Sequence, residues 1–443
     1  MKGELSPLQL LQNLISEFSA GNLLAGKCKV QAPDLHLGQE SYSLDKIKHV
    51  HFLAIGKAAM GLGRALEKIL KQLPPAIQYS GMVIANSFEG EEKNFDARVE
   101  VIMGNHPIPL QKSFMAGEKA WQFVKNFSPD SLAIFAISGG GSSILEMPLP
   151  GVPPAFISKV GQELLKTGAT IQEMNLVRQS LSAIKAGRLL TNSRSQINVG
   201  MIVSDIPDRD LSWVSSGPTF ASEINSQLVL DIAKKYLSAH SWHEYKMLFE
   251  QGQLAFASSR PAGKIINMGI GSAHDLLASV KNNFEEIFPG NCQSLGVLNL
   301  NFEQGMEKIW QVLLTCDFSH PGCLISGGEL PVHVVGEGVG GRNTHFVLAS
   351  AKRIMQSTQL ALWQAKDFEV FSLASDGRDG ETDCAGAKVS KNEILRWQQL
   401  GIDPQSFLHN CDSYNFFKQQ DGLIAGTPVS HTNLMDVRVI FWQ

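Results

Sequence analysis

Apolar positions along the chain follow two periods. Near the start, Leu10, Leu11, Leu14, Ile15 and Phe18 recur at helical spacing. Ser6 is placed to cap and Pro7 to open the first turn, which predicts an amphipathic helix. Further on, short runs that are apolar nearly throughout alternate with such helical stretches. They fall at 49–56 (HVHFLAIG), 79–86, 99–104, 132–138 (LAIFAIS), 199–205, 322–328, 331–338 (PVHVVGEG), 368–377 and 437–442. A strand apolar at almost every residue is one buried on both faces. Strands alternating with helices predict an α/β protein, here two α/β domains with largely parallel sheets. Many of the runs end in Gly, Ser or Asp, as in a sheet whose carboxyl edge carries the chemistry.

The polar helical stretch at 238–253 gives way to ASSRPAGK, which divides the chain near 255, into 1–255 and 256–443. A length of 443 residues suits two to three domains, and 44% hydrophobic residues supply their cores. Charged residues are only 18% and the formal net charge is −4, so there is no basic field for nucleic acid. No apolar run approaches the ~20 residues that span a bilayer, and no secretory leader is visible, so neither membrane nor export is expected. The six cysteines form no CxxC and read as reduced thiols. Together these features predict a soluble cytoplasmic protein. A homodimer is compatible with them, but the sequence does not fix the oligomeric state.

Two glycine loops stand out. In ISGGGSS, a strand-like run stops at Gly139, Gly140 and Gly141, flanked by Ser138 and Ser142. Successive glycines leave backbone N–H groups free to converge on an anion. A plain turn is the alternative; a nucleophilic serine would need GxSxG, which the chain lacks. The second loop, GEGVGG (336–341), matches a dinucleotide fingerprint, but no acid ends a following strand about 20 residues on. GNLLAGKC resembles a P-loop, yet Cys28 stands where Ser or Thr should bind magnesium.

Charged residues gather beside these loops. Lys57 follows a strand and opens a helix, and Arg342 directly follows the second loop; both suit phosphate or carboxylate. NLVRQSLSAIKAGRLL places Arg178, Lys185 and Arg188 on one amphipathic stretch, which reads either as a solvated face or as a substrate face. Acids follow strands at Asp205, Asp208 and Asp210, at Glu329, and at Asp376, Asp379, Glu381 and Asp383. Such a carboxylate can hold magnesium or accept a hydroxyl proton. His106 sits in a Pro-flanked turn after a strand. Two glycine loops, a lysine, an arginine and strand-end acids suggest a phosphate-handling enzyme.

Taken in order, AIGKAA (54–59), NHPIP, ISGGGSS, NLVRQSLSAIKAGRL, SDIPDRD with SSGPT, SGGE, GEGVGGRN, SDGRDG with AGA, and GTPVSHTN resemble the class II glycerate kinases, the glycerate 2-kinase family with a C-terminal MOFRL domain. The resemblance runs from about residue 50 to the C-terminus. It implies a Rossmann-like N-terminal domain, a MOFRL domain and an active site in the cleft between them. It implies transfer of the ATP γ-phosphoryl group to the 2-hydroxyl of D-glycerate, with Mg²⁺ bridging ATP oxygens through ligands the sequence does not identify. Lys57 and Arg342 match the family's functional lysine and arginine. Asp205 and Asp376 would hold the metal or orient the hydroxyl. Ser138, Gly139, Gly140, Gly141, Ser142, His106, Glu329, Gly340, Gly341, Asn343 and Asn433 would contact substrate or phosphate. The loop 139–141 would face either the ATP phosphates or the acceptor carboxylate. The chain departs from the family pattern at Leu110, Thr344, His345, Ser375 and Arg378. Two alternatives are an NAD(P)-dependent hydroxypyruvate reductase and a non-catalytic ATP-binding member.

Overall fold

The computed structural model describes residues 5–87, 94–207, 210–258, 261–357, 360–426 and 432–443. The chain forms two compact units. The N-terminal unit takes Ala20–Ser204 and the stretch that ends at Gly271. The C-terminal unit takes Ser272–Gln443 with Asp205–Pro207 and the N-terminal segment ending at Ser19. The division expected near 255 therefore falls later, because strand Lys264–Ser272 joins the sheet of the N-terminal unit. The first helix, Pro7–Glu17, forms as its pattern predicts, with a capping box in which Ser6 and Gln9 bond each other's backbone N–H. Its apolar face, Leu11, Leu14 and Ile15, is buried, and the helix packs on Ala273–Ile287 in the C-terminal unit.

In the N-terminal unit a small antiparallel sheet, β1 (Cys28–Gln31), β2 (Asp34–Leu37) and β3 (Glu40–Ser43), precedes the main one. The main sheet contains β4 (His49–Ile55), β5 (Gln78–Ala85), β6 (Val99–Met103), β7 (Ser131–Ile137), β8 (Ile197–Ser204) and β9 (Lys264–Ser272), in the order β6-β5-β4-β7-β8-β9. The pairs from β6 to β8 are all parallel. The chain works outward from β4 to β6, then returns to the other side of β4 with β7. That reversal is the topological switch point of a doubly wound sheet, where ligands bind at the strands' carboxyl ends. All seven residues of β7 are buried, as its unbroken apolar run requires. Helix Ala59–Leu70 covers β4 and β5 with Leu62, Leu66 and Leu70. Burial is worth ~1.5–3 kcal/mol per such side chain, so the loops at the switch point stand on a rigid base.

The C-terminal sheet contains β10 (Cys292–Val297), β11 (Gly322–Gly327), β12 (Phe368–Ala374), β13 (Cys384–Ser390), β14 (Leu423–Ala425) and β15 (Asp436–Trp442), ordered β10-β11-β15-β12-β13-β14. The α/β class holds for this unit, but its sheet is mixed rather than largely parallel. Only β10 and β11 run parallel, because the last strand inserts between β11 and β12, antiparallel to both. Every residue of β15 is buried. The strand expected at 331–338 is irregular chain; Val334 and Val335 are 67% and 61% exposed, so its valines have no sheet face to cover. All six cysteines are free and buried. Among the described residues no helix is long and apolar enough to cross a membrane.

Candidate active site

The switch point brings Lys57 and the first glycine loop together. The Ser138 N–H donates to the carbonyl of Ile55 at 2.9 Å, and the Lys57 N–H donates to that of Gly139 at 2.9 Å. The Ser138 hydroxyl accepts from the Ala58 N–H at 3.1 Å. These bonds staple the loop after β7 to the loop after β4. Gly56 must be glycine here: its φ is +113°, and a Cβ would stand 2.4 Å from the Ser138 carbonyl oxygen. A third loop backs the first. Ser215, Ser216 and Gly217 all have positive φ, a strained run for two serines. The Ser215 hydroxyl donates to the Ser138 carbonyl at 2.7 Å, and Ser216 shares a hydrogen bond with Ser142 at 2.7 Å. Asn175 and Gln179 on helix Ile171–Leu181 hold Ser216 in turn.

Around Gly140 stand Lys57 and His106. A Cβ at Gly140 would meet the Lys57 side chain at 3.0 Å and the His106 ring at 3.2 Å. Arg178, in the last turn of helix Ile171–Leu181, acts on the same ring: burial, then the charges of Lys57 and Arg178, push the His106 pKa down to about 4. His106 is therefore neutral near pH 7, although part of its ring faces solvent. Among the described residues, Lys57 and Arg178 make no ion pair or side-chain hydrogen bond. Nor do the N–H groups of Gly139, Gly140, Gly141 and Ser142 donate to a protein acceptor. Lys57 and Arg178 thus both act on the His106 ring, and the loop beside that ring keeps four N–H donors free.

The amphipathic stretch read at 175–190 is broken, because the helix ends at Leu181. Lys185 and Arg188 are buried and structural, on neither a solvated nor a substrate face. Lys185 forms a buried ion pair with Glu146, and Arg188 bonds the carbonyls of Gln179 and Ser182. Of the three, Arg178 is the one whose charge acts on His106 beside the loop.

The second glycine loop is built differently. The Glu337 and Gly338 N–H groups donate to Asn410, and the Val339 N–H to Asp412. The following helix, Arg342–Gln356, is capped by the protein's own carboxylate. Asp379 accepts from the N–H groups of Asn343 (2.9 Å) and Thr344 (2.8 Å) and from the Asn343 amide. The anion position at this helix end is thus filled from within, and the Asp379 carboxyl is shifted up by its burial. Arg342 is committed too: Nε donates to Asp436 at 2.9 Å and a terminal nitrogen to Glu329 at 3.0 Å. Asn343 also donates to Asp436, and Asn433 to Glu329 at 3.3 Å. Burial, opposed by Arg342, raises the Glu329 pKa, and the charges of Asp436 and Asp376 add to the rise. A cavity of about 250 Å³ opens here between Val332, Val334, Gly340, Arg342, His345 and Cys411.

The structure thus groups Lys57, His106 and Ser138–Ser142 in one unit, and Glu329, Gly340–Asn343, Asp376 and Asn433 in the other. Asp205 directly follows β8 and is assigned, with Pro207, to the C-terminal unit. Asp208 and residues 427–431 of the GTPVSHTN motif lie outside the described residues. Sequence reasoning missed Ser215–Gly217 and Asp436 as site residues. The signal for Asp436 was an acid opening a strand that is apolar apart from Arg438. The described residues bring no three metal-ligating side chains together. They do not by themselves form a magnesium cage, and no step is derived through that ion.

Residues 7–246 match the family described as "Domain of unknown function (DUF4147)", and residues 322–436 match the MOFRL family. A D-glycerate 2-kinase of Thermotoga maritima is 28% identical over 88% of this chain and 90% of its own length. A protein of Agrobacterium vitis, provisionally named hydroxypyruvate reductase, is 31% identical over 87% of this chain and 85% of its own. The crystal structure of a glycerate kinase from Thermotoga maritima has the same fold, with a TM-score of 0.79, 25% identity and 98% of both chains covered. The chain belongs to the class II glycerate kinase family, the pairing of a DUF4147 domain with a MOFRL domain.

Proposed function

We propose that the protein transfers the γ-phosphoryl group of ATP to the 2-hydroxyl of D-glycerate, giving 2-phosphoglycerate and ADP. The observation that carries this reading is the loop with four free N–H donors at the switch point, beside Lys57 and the His106 ring on which Arg178 also acts. Relatives named for D-glycerate 2-kinase and glycerate kinase activity support it. The glycerate 2-oxygen attacks the γ-phosphorus while the bond to the β–γ bridging oxygen breaks and ADP leaves. The protein's part is positioning and charge stabilisation, which such a transfer chiefly needs. Lys57 supplies a mobile positive charge; Asp205 and Asp376 are the candidates to take up the hydroxyl proton.

The reductase reading rested on GEGVGG as a dinucleotide fingerprint. That loop follows irregular chain instead of a strand, and the end of its helix is already capped by Asp379. A coupled assay separates the readings. ADP release with D-glycerate, giving a product that enolase consumes directly, supports the 2-kinase. NADH oxidation by hydroxypyruvate without ATP would replace it with the reductase. ATP binding without turnover over a panel of 2-hydroxy acids would favour a non-catalytic member.

A further inference from the structure

We propose that the anion seated at the Gly139–Ser142 loop is the carboxylate of the acceptor, gripped by Arg178, and that this contact selects hydroxy acids over neutral polyols. The inference rests on the kinase reading above and assigns one of its two substrates to the N-terminal unit.

Arg178 is half-buried and, among the described residues, its side chain has neither a hydrogen bond nor an ion pair. The acid that reaches it electrostatically, Glu146, is already used. One carboxylate oxygen binds Lys185, and the other accepts from the Met147 N–H at 2.9 Å. A guanidinium drawn out of water with no acceptor is costly unless a ligand supplies one. Its planar fork matches the two oxygens of a carboxylate.

Two observations favour a carboxylate over a nucleotide's phosphates. The side-chain atoms nearest a Cβ at Gly140 belong to Lys57 and His106, and Arg178 acts on that histidine, whereas Glu329, Asp376 and Asp436 gather in the other unit, around Arg342. Finally, the neutral imidazole of His106 beside the two cations offers a hydrogen-bond partner to an adjacent hydroxyl.

The test is calorimetric titration of the full chain with D-glycerate in the absence of nucleotide, and separately with ADP, in wild type, Arg178→Gln and Arg178→Lys. Loss of a charge-assisted bidentate contact predicts about 100-fold weaker D-glycerate binding in R178Q. ADP binding and melting temperature should not change, and R178K should fall between the two. D-Glycerate binding in R178Q equal to wild type would overturn the proposal. So would loss of ADP binding with D-glycerate binding retained, which would give the loop to the nucleotide. Should R178Q fail to fold, R178K decides: wild-type affinity there refutes the fork. The two readings fail separately. Arg178-dependent glycerate binding with no ADP release in the coupled assay would leave this site standing and remove the kinase. Turnover with unaltered binding in R178Q would do the reverse.

Discussion

The two glycine loops look alike as sequence and are opposites as chemistry. The first directly follows β7, the second follows β11 after irregular chain, and each has a basic residue beside it. The first, at 139–141, keeps its N–H groups and its cations uncommitted. The second, at 336–341, has its donors bonded to Asn410 and Asp412, its helix end capped by Asp379, and its arginine paired with Asp436 and Glu329. The loop proposed above as the ligand site is the one to which the protein has not supplied its own anion. The difference lies in acids remote in sequence, not in the glycines.

The strongest way to break this comparison is Lys57→Ala. If the first loop acts on the reacting anion, kcat/KM should fall roughly 10³-fold, about 4 kcal/mol, with the melting temperature unmoved. Wild-type steady-state kinetics in that variant would sink the assignment. Arg342→Ala should act the other way round. It strands the buried Asp436 carboxylate, so unfolding in denaturant should lose about 3 kcal/mol. A loss of activity with no loss of stability would mean that Arg342 serves the ligand after all. Gly140→Ala sharpens the contrast. A side chain at φ +81° should cost about 1–2 kcal/mol of stability and, by crowding Lys57 at 3.0 Å, should also reduce turnover. The smallest effect is electrostatic. In Arg178→Gln the His106 imidazolium loses a repelling neighbour, so its NMR titration midpoint should rise from about 4 toward the ordinary histidine value. The wild-type sign is equally definite. Because the folded pKa lies below the unfolded one, the histidine contributes stability that is lost as pH falls from about 6.5 through 4. An unmoved midpoint in the variant would place Arg178 away from the loop.

Much of this was legible in the chain. The unbroken apolar run at 132–138 announced a strand buried on both faces, and the glycines after it announced the loop. Lys57 could be placed because strand and helix abut it. What pattern could not deliver was pairing. PVHVV reads as a strand by composition but joins no sheet, and Val334 and Val335 stay exposed. Lys185 and Arg188 read as a helix face, because nothing local says that the helix ends at Leu181 or that Glu146 lies beneath Lys185. The pairing of Arg342 with Asp436 left no local trace because the two lie 94 residues apart along the chain. Long-range charge pairing leaves no local periodicity, so the commitments that distinguish the loops appear only once the sheets have assembled.

The position of β15 has a temporal consequence. The strand at the centre of the C-terminal sheet is made after every other strand of that sheet, and helix Pro7–Glu17, which packs in the same unit, is made before all of them. During synthesis, that helix must wait for partners more than 250 residues downstream, and β11 and β12 stay unpaired along one edge until Trp442 has left the ribosome. The N-terminal sheet, whose strands all lie between residues 49 and 272, can close earlier and carry the unfinished half.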